Sequence, residues 1–154
     1  MSVVDDDHLA LEHQLCVALN RAARAINGRY RPSLNRIGLT YRQYTVMLVL
    51  WEQGTTTLGD LAELLGLDSG TLSPLVKRMA DADLLTRRRN PDDERVLDIT
   101  ITEFGRSLRE AATAAQREVE ASTRLSDEEF ADLRRRLVEL TTSLSDERDA
   151  QPAN

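Results

Sequence analysis

The sequence predicts a mainly α protein carrying one small β-hairpin, and three observations lead there. Aromatic residues are only 4% of the 154, and the apolar positions are mostly Leu, Val, Ile and Ala, which suits helix-on-helix packing better than a β-sandwich. Apolar residues recur at three- and four-residue steps through long stretches bounded by capping residues. Leu97, Ile99 and Ile101 instead alternate, the pattern of a strand with one face buried. A chain of this length makes about one domain with a real core, although long exposed helices favour completing that core by association.

Taken in order, Leu9, Cys16, Leu19, Ala23, Ile26 and Tyr30 lie on one stripe, so the first element is an amphipathic helix of about six turns. Its expected end is near Gly28 to Pro32, and Gly38 breaks the short segment that follows. Thr40-Tyr41-Arg42-Gln43 is a capping box opening a helix to about Glu52, closed by Gly54. Thr57 with Asp60 starts a short helix through Leu65, Gly66 supplies a turn, and Asp68 caps a second helix to about Asp83. Leu58, Leu61, Ala62 and Leu65 are placed to pack against Leu72, Leu75, Val76 and Met79. Leu84 to Arg89 and Val96 to Ile101 read as two strands joined by Asn90-Pro91-Asp92-Asp93-Glu94-Arg95. Thr102 then caps a long helix to about Arg124, and Ser126-Asp127-Glu128-Glu129 opens a last helix that fades by about Ser145.

The architecture implied is a winged helix-turn-helix core over residues 36–102, flanked by helices at 1–35 and 103–145, with a disordered tail at 146–154. Alone, the flanking helices would expose their apolar stripes. Phe130, Leu133, Leu137, Leu140 and Leu144 recur at helical spacing on the last one, so burial against a second copy, a homodimer, is the simplest solution. A monomeric bundle closed by the same helices is the alternative.

The charges exclude some classes. A formal net charge of −6 argues against a protein that coats nucleic acid indiscriminately. The charge is polarised along the chain: Arg21, Arg24, Arg29, Arg31, Arg36 and Arg42 fall between Asn20 and Trp51 with no acid, whereas 12 acids face 8 arginines from Glu103 onward. The chain opens on Asp5, Asp6 and Asp7 rather than a basic and apolar leader, and its longest apolar run, Val46 to Trp51, is far short of the roughly 20 residues a membrane helix needs. A cytoplasmic protein without a cofactor is expected. The single cysteine fits a reducing compartment and excludes a disulfide scaffold or a multi-cysteine zinc site. His8, Glu12 and His13 make no metal cluster, since histidines five apart do not share a helix face. Tyr44, Met47 and Trp51 read as core rather than a ligand box.

A helix-turn-helix sets its second helix in the major groove of duplex DNA. The outward set on that helix, Ser69, Thr71, Ser73, Pro74, Lys77 and Arg78, is small, polar or basic, as such a helix requires. In the hairpin, Arg87, Arg88, Arg89 and Arg95 are within reach of phosphate, and an arginine at the tip can enter a narrow minor groove. Asp92, Asp93 and Glu94 bring acid to the same tip. At least one of them, Asp93 first, is expected to hold Arg95 in place.

The run Leu67-Asp68-Ser69-Gly70-Thr71-Leu72-Ser73-Pro74-Leu75-Val76-Lys77-Arg78-Met79 and the tip Asp92-Asp93-Glu94-Arg95, with Thr102-Glu103-Phe104-Gly105 beyond it, resemble the multiple-antibiotic-resistance repressor (MarR) family of winged-helix regulators, from about Leu9 to Leu144. Within it, Leu11-Glu12-His13-Gln14-Leu15-Cys16 and Leu39-Thr40-Tyr41-Arg42-Gln43-Tyr44 are similar to the organic-hydroperoxide-sensing repressors. That resemblance implies a pseudo-palindromic operator as partner, and Cys16 as a reactive thiol hydrogen-bonded by Tyr30 and Tyr41 of the partner subunit. Asn20 stands where some members carry a tyrosine, and the helix after the wing lacks the second cysteine that others use to resolve the oxidised thiol. The single-cysteine type is therefore implied, in which a low-molecular-weight thiol completes the switch after an organic hydroperoxide has reacted.

Peroxide cleavage needs a thiolate, so a sensor cysteine needs donors that stabilise the anion. Its product is a sulfenic acid, which condenses with another thiol. From periodicity alone Cys16 is as well explained by packing, because free cysteine is among the most buried residue types. Three other functions remain open: a repressor released by a small aromatic ligand with Cys16 merely structural, a thiol peroxidase, and a winged-helix module that binds protein.

Overall fold

In the computed structural model, which describes residues 9–149, a 3-10 turn at Leu11–His13 leads into α1 (Leu15–Arg36). The helix does not end near Gly28 to Pro32 as expected; it carries Pro32 inside it. Proline removes the N–H that would reach the carbonyl four residues back and crowds that carbonyl, and here residue 28 is a glycine in open space, so the turn has room to yield. Burial of Ser33 and Leu34 then anchors the last turn. Gly38, at φ 75°, ends this same helix rather than a separate segment: Leu39 N–H donates to Leu34 O at 3.0 Å and Gly38 N–H to Asn35 O at 3.2 Å, the paired bonds of a Schellman cap.

The remaining helix starts follow their caps. Thr40 and Gln43 make the reciprocal box that opens α2 (Tyr41–Gln53). Thr57 caps α3 (Leu58–Leu65), and Asp68 caps α4 (Ser69–Asp81). The strand pair was legible, but a third strand was not. β1 (Thr55–Thr57) lies beside the hairpin of β2 (Leu85–Arg89) and β3 (Leu97–Ile101) in an antiparallel sheet of order β1-β3-β2. Thr55 pairs with Thr100, and Leu85 with Ile101. Leu34, Met47, Leu50, Leu61, Leu72, Val76, Met79, Leu85 and Ile99 are buried together at the centre of this unit, so one face of the sheet and one stripe of each helix share a single core.

The expected long helix after Thr102 is broken into α5 (Glu103–Ser107) and α6 (Arg109–Ser122). The Gly105 carbonyl, which a continuous helix would offer to the amide four residues on, accepts Trp51 Nε1–H at 2.9 Å and the Leu108 N–H at 3.4 Å. A side chain inserted in the ladder is an ordinary cause of such a break. Gly105 is obligatory here, because a Cβ would lie 2.3 Å from Leu84 O and 3.0 Å from Met47 Cε.

Two units divide the chain, the first ending at Gln116 and the second beginning at Arg117. The second holds α7 (Asp127–Asp149), opened by a reciprocal box in which Ser126 N–H donates to Glu129 Oε2 at 2.8 Å and Glu129 N–H donates to Ser126 Oγ at 3.2 Å. It runs four residues past the expected end at Ser145, and residues 150–154 of the expected tail lie outside the described residues. Leu133, Leu137, Val138 and Leu144 on α7 are exposed, as are Leu15 and Ile26 on α1. No helix among the described residues is long and apolar enough to cross a membrane.

Candidate nucleic-acid interface and the lone thiol

Asp68 sets the start of α4. Its Oδ1 accepts the Thr71 N–H and its Oδ2 accepts the Thr71 hydroxyl, both at 2.8 Å. Gly70 keeps that carboxylate unobstructed, since a Cβ there would lie 3.1 Å from Asp68 Oδ1. The Thr71 hydroxyl and amide hold the Asp68 carboxyl below the ordinary aspartate range. Leu72, Leu75, Val76 and Met79 are buried, which turns Ser69, Thr71, Pro74, Lys77 and Arg78 outward. Ser73 is half-buried.

The wing is braced by side chains. Asn90 Oδ1 accepts the amides of Asp92 at 2.9 Å and Asp93 at 3.2 Å, and its Nδ2 donates to Asp98 Oδ2 at 3.0 Å. Asp93 Oδ1 then accepts Arg95 N–H at 3.1 Å and Arg95 Nε–H at 3.2 Å. The expected holder is therefore Asp93, which bonds Arg95 through Nε while the arginine side chain stays 91% exposed. The pleat separates the strand arginines: Arg87 and Arg89, opposite Ile99 and Leu97, alternate with Arg88, opposite Asp98. Asp68 caps α4 as the sequence predicts; reading the sequence missed Asn90 and Asp98 as braces and the further bond from the Thr71 hydroxyl to Asp68. The Asn-Pro-Asp turn was the available signal for the first of these.

Tyr30 and Tyr41 are brought together, ring centroids 5.6 Å apart, and both stack against buried Tyr44, at 5.1 and 6.2 Å. As expected, Tyr44 and Met47 are core, and Trp51 is packed against it. Cys16 is exposed on α1. It shares that helix with Tyr30 fourteen residues away, about 21 Å along the axis, so the two cannot meet within one chain. The described residues of the first unit line at least two clefts. One, of about 540 Å³, is bounded by Arg31, Arg42, Arg78, Asn27 and Asn35. Another, of about 470 Å³, is bounded by Tyr44, Leu48, Trp51 and Arg109. His8 is outside the described residues, among which no group of three or more His, Cys, Asp or Glu is placed to hold a metal ion.

Comparison with known proteins agrees with this layout. The MarR family model matches residues 39–97. The chain is 40% identical over 128 residues to the organic hydroperoxide resistance transcriptional regulator of Bacillus subtilis, covering 83% of this chain and 87% of that protein. Reduced AbfR bound to DNA, AbfR being a protein of Staphylococcus epidermidis, superposes with a TM-score of 0.77 at 32% identity, over 91% of this chain and 96% of that one. BpsR of Bordetella bronchiseptica, solved in connection with regulation of its DNA binding by 6-hydroxynicotinic acid, gives 0.73 at 25% identity, over 80% and 96%.

Proposed function

The chain belongs to the MarR family of transcriptional regulators, and from that premise we propose that it is a repressor that releases its operator when an organic hydroperoxide oxidises Cys16. In this reading α4 enters the major groove with Ser69, Thr71, Ser73, Pro74, Lys77 and Arg78. The wing sends Arg95, held by Asp93, toward the minor groove, with Arg87 on phosphate. Two copies pair through α1 and the helices after the wing, which sets the two reading helices about one turn of DNA apart. The protein acts in the cytoplasm and turns nothing over; its thiol is a stoichiometric switch.

The observation that carries the sensing half is the separation within α1. Cys16 is exposed at one end and the half-buried phenols of Tyr30 and Tyr41 sit at the other, out of its reach in one chain. A second copy packed antiparallel on α1 would bring each thiol to the other's phenols and cover Leu15 and Ile26. The phenol O–H groups would then stabilise the thiolate. That thiolate attacks the peroxide's terminal oxygen, the O–O bond breaks, sulfur takes the hydroxyl as a sulfenic acid, and the departing alkoxide takes up the proton that the thiol gave up on ionising, leaving as the alcohol. A low-molecular-weight thiol condenses with it, forming a mixed disulfide and releasing water. The added bulk lies in a close-packed seam, which shifts to another arrangement rather than absorbing it.

The test joins two measurements on one sample. Intact mass after one equivalent of cumene hydroperoxide, with and without a small thiol, is expected to show the oxygen and then the thiol adduct on Cys16, while operator binding is lost. Cys16→Ser is expected to bind the operator and to ignore peroxide; a serine variant that still leaves DNA overturns the sensing role.

A second reading has one observation in its favour, the cleft with an aromatic wall of Tyr44 and Trp51 and the cation of Arg109. It fits a small aromatic acid, as the regulation of BpsR by 6-hydroxynicotinic acid would suggest. Release of DNA by salicylate-like acids but not by peroxide would favour it.

A further inference from the structure

The first turn of α4 carries a constraint on which bases it can read. A threonine hydroxyl has one proton to donate and lone pairs to accept with. Asp68, as an ionised carboxylate, can only accept, so the proton in the 2.8 Å contact between Thr71 Oγ1 and Asp68 Oδ2 comes from Thr71. The same carboxylate takes the Thr71 amide at 2.8 Å. The threonine is thus held at two points and its only hydroxyl proton is already committed. What remains toward solvent, on an exposed residue in the third position of the helix, is an acceptor oxygen and a methyl group.

We propose that Thr71 is a specificity-determining residue that accepts from an exocyclic amine, adenine N6 or cytosine N4, in the major groove, and that Asp68 imposes this by binding the hydroxyl proton. The inference rests on the reading of α4 as the element in the groove. In that groove adenine and cytosine present N–H donors, whereas guanine presents N7 and O6, both acceptors. An acceptor-only threonine gains nothing from the guanine edge and is repelled by it. Ser69, whose hydroxyl no side chain holds in this way among the described bonds, carries no such restriction.

The experiment is selection of binding sites from a random duplex library by the full chain and three variants. Thr71→Ser keeps the pinned hydroxyl and is expected to keep the wild-type preference at every position. Thr71→Val keeps the shape and a methyl group but has no oxygen; it is expected to lose about five-fold discrimination at one base pair per half-site, with the salt dependence of binding unchanged. Asp68→Asn still caps the helix through its oxygen, but its amide now donates to Thr71 Oγ1 and frees the hydroxyl proton, so preference at that base pair is expected to move toward guanine. Identical selections by wild type and Thr71→Val, or an Asp68→Asn selection unchanged at that base pair, overturn the inference while leaving the DNA-binding reading intact. Failure of the wild-type chain to enrich any sequence overturns both.

Discussion

The winged unit and the terminal helices are built to different degrees of completeness. From α2 to β3 each reading element is finished within one chain: the core is closed, α4 is capped by Asp68, and the wing tip is braced by Asn90 and Asp93. On α1 and α7, by contrast, large apolar residues stand in solvent and the thiol is out of reach of the phenols. In the proposed function each protomer therefore carries a finished reading element, and pairing sets the spacing between two of them. Under the proposed function, sensing requires a second copy to supply what the first lacks, and a change at that seam would act on both reading helices at once.

The largest effect is expected from the unfinished half. Leu133→Asp with Leu137→Asp leaves the winged unit untouched but puts charge on the exposed stripe of α7, and is expected to give a folded monomer in sedimentation with operator affinity lower by at least about 100-fold. A variant that stays dimeric would break the contrast. Gly105→Ala attacks the finished half. Its Cβ would lie 2.3 Å from a backbone oxygen, and a loss of about 3 kcal/mol in denaturant unfolding is expected. A loss confined to a few tenths would mean that the packing of Gly105 against Leu84 and Met47 yields more easily than these distances imply.

Smaller effects sharpen the picture of the wing. Arg95→Ala is expected to weaken operator binding by about 10- to 100-fold, and Asp93→Ala by less but measurably, since the arginine remains but is no longer aimed. Unchanged affinity in Asp93→Ala beside a large loss in Arg95→Ala would remove the holding role. The smallest effect is on α7 in acid. The Ser126 amide and hydroxyl lower the Glu129 carboxyl, and Arg136 with Arg135 lowers that of Asp132. Carboxyls depressed in the folded state stabilise it fully above their ordinary values of about 4 and lose that contribution as pH falls through the folded values. Helical content followed by circular dichroism is therefore expected to hold from neutral pH to about 5 and to fall below it, and Glu129→Gln with Asp132→Asn is expected to flatten that fall.

Much of the architecture was written locally. Side chains three residues from the amides they satisfy, such as Thr40 with Gln43, Asp68 with Thr71 and Ser126 with Glu129, declare helix starts without reference to the rest of the fold. The same holds for the helix-glycine-helix unit and for the alternation in β3. Of the candidate site, the outward face of α4 and the pair Asp93 and Arg95 were legible for this reason. Asn90 and Asp98 were not, because their bond joins the residue after β2 to β3 across the hairpin.

The sequence by itself determined where helices begin, which of their faces are apolar, and which residue types the reading helix and wing present, because these depend on neighbours within a turn or two. Tertiary structure alone decided that Thr55–Thr57 is a strand, that α1 runs through Pro32, that Trp51 breaks the helix after Thr102, and that Cys16 is remote from Tyr30. Each of those outcomes turns on a partner group far away in the chain or on distance along a rigid helix, and local propensity holds no record of either.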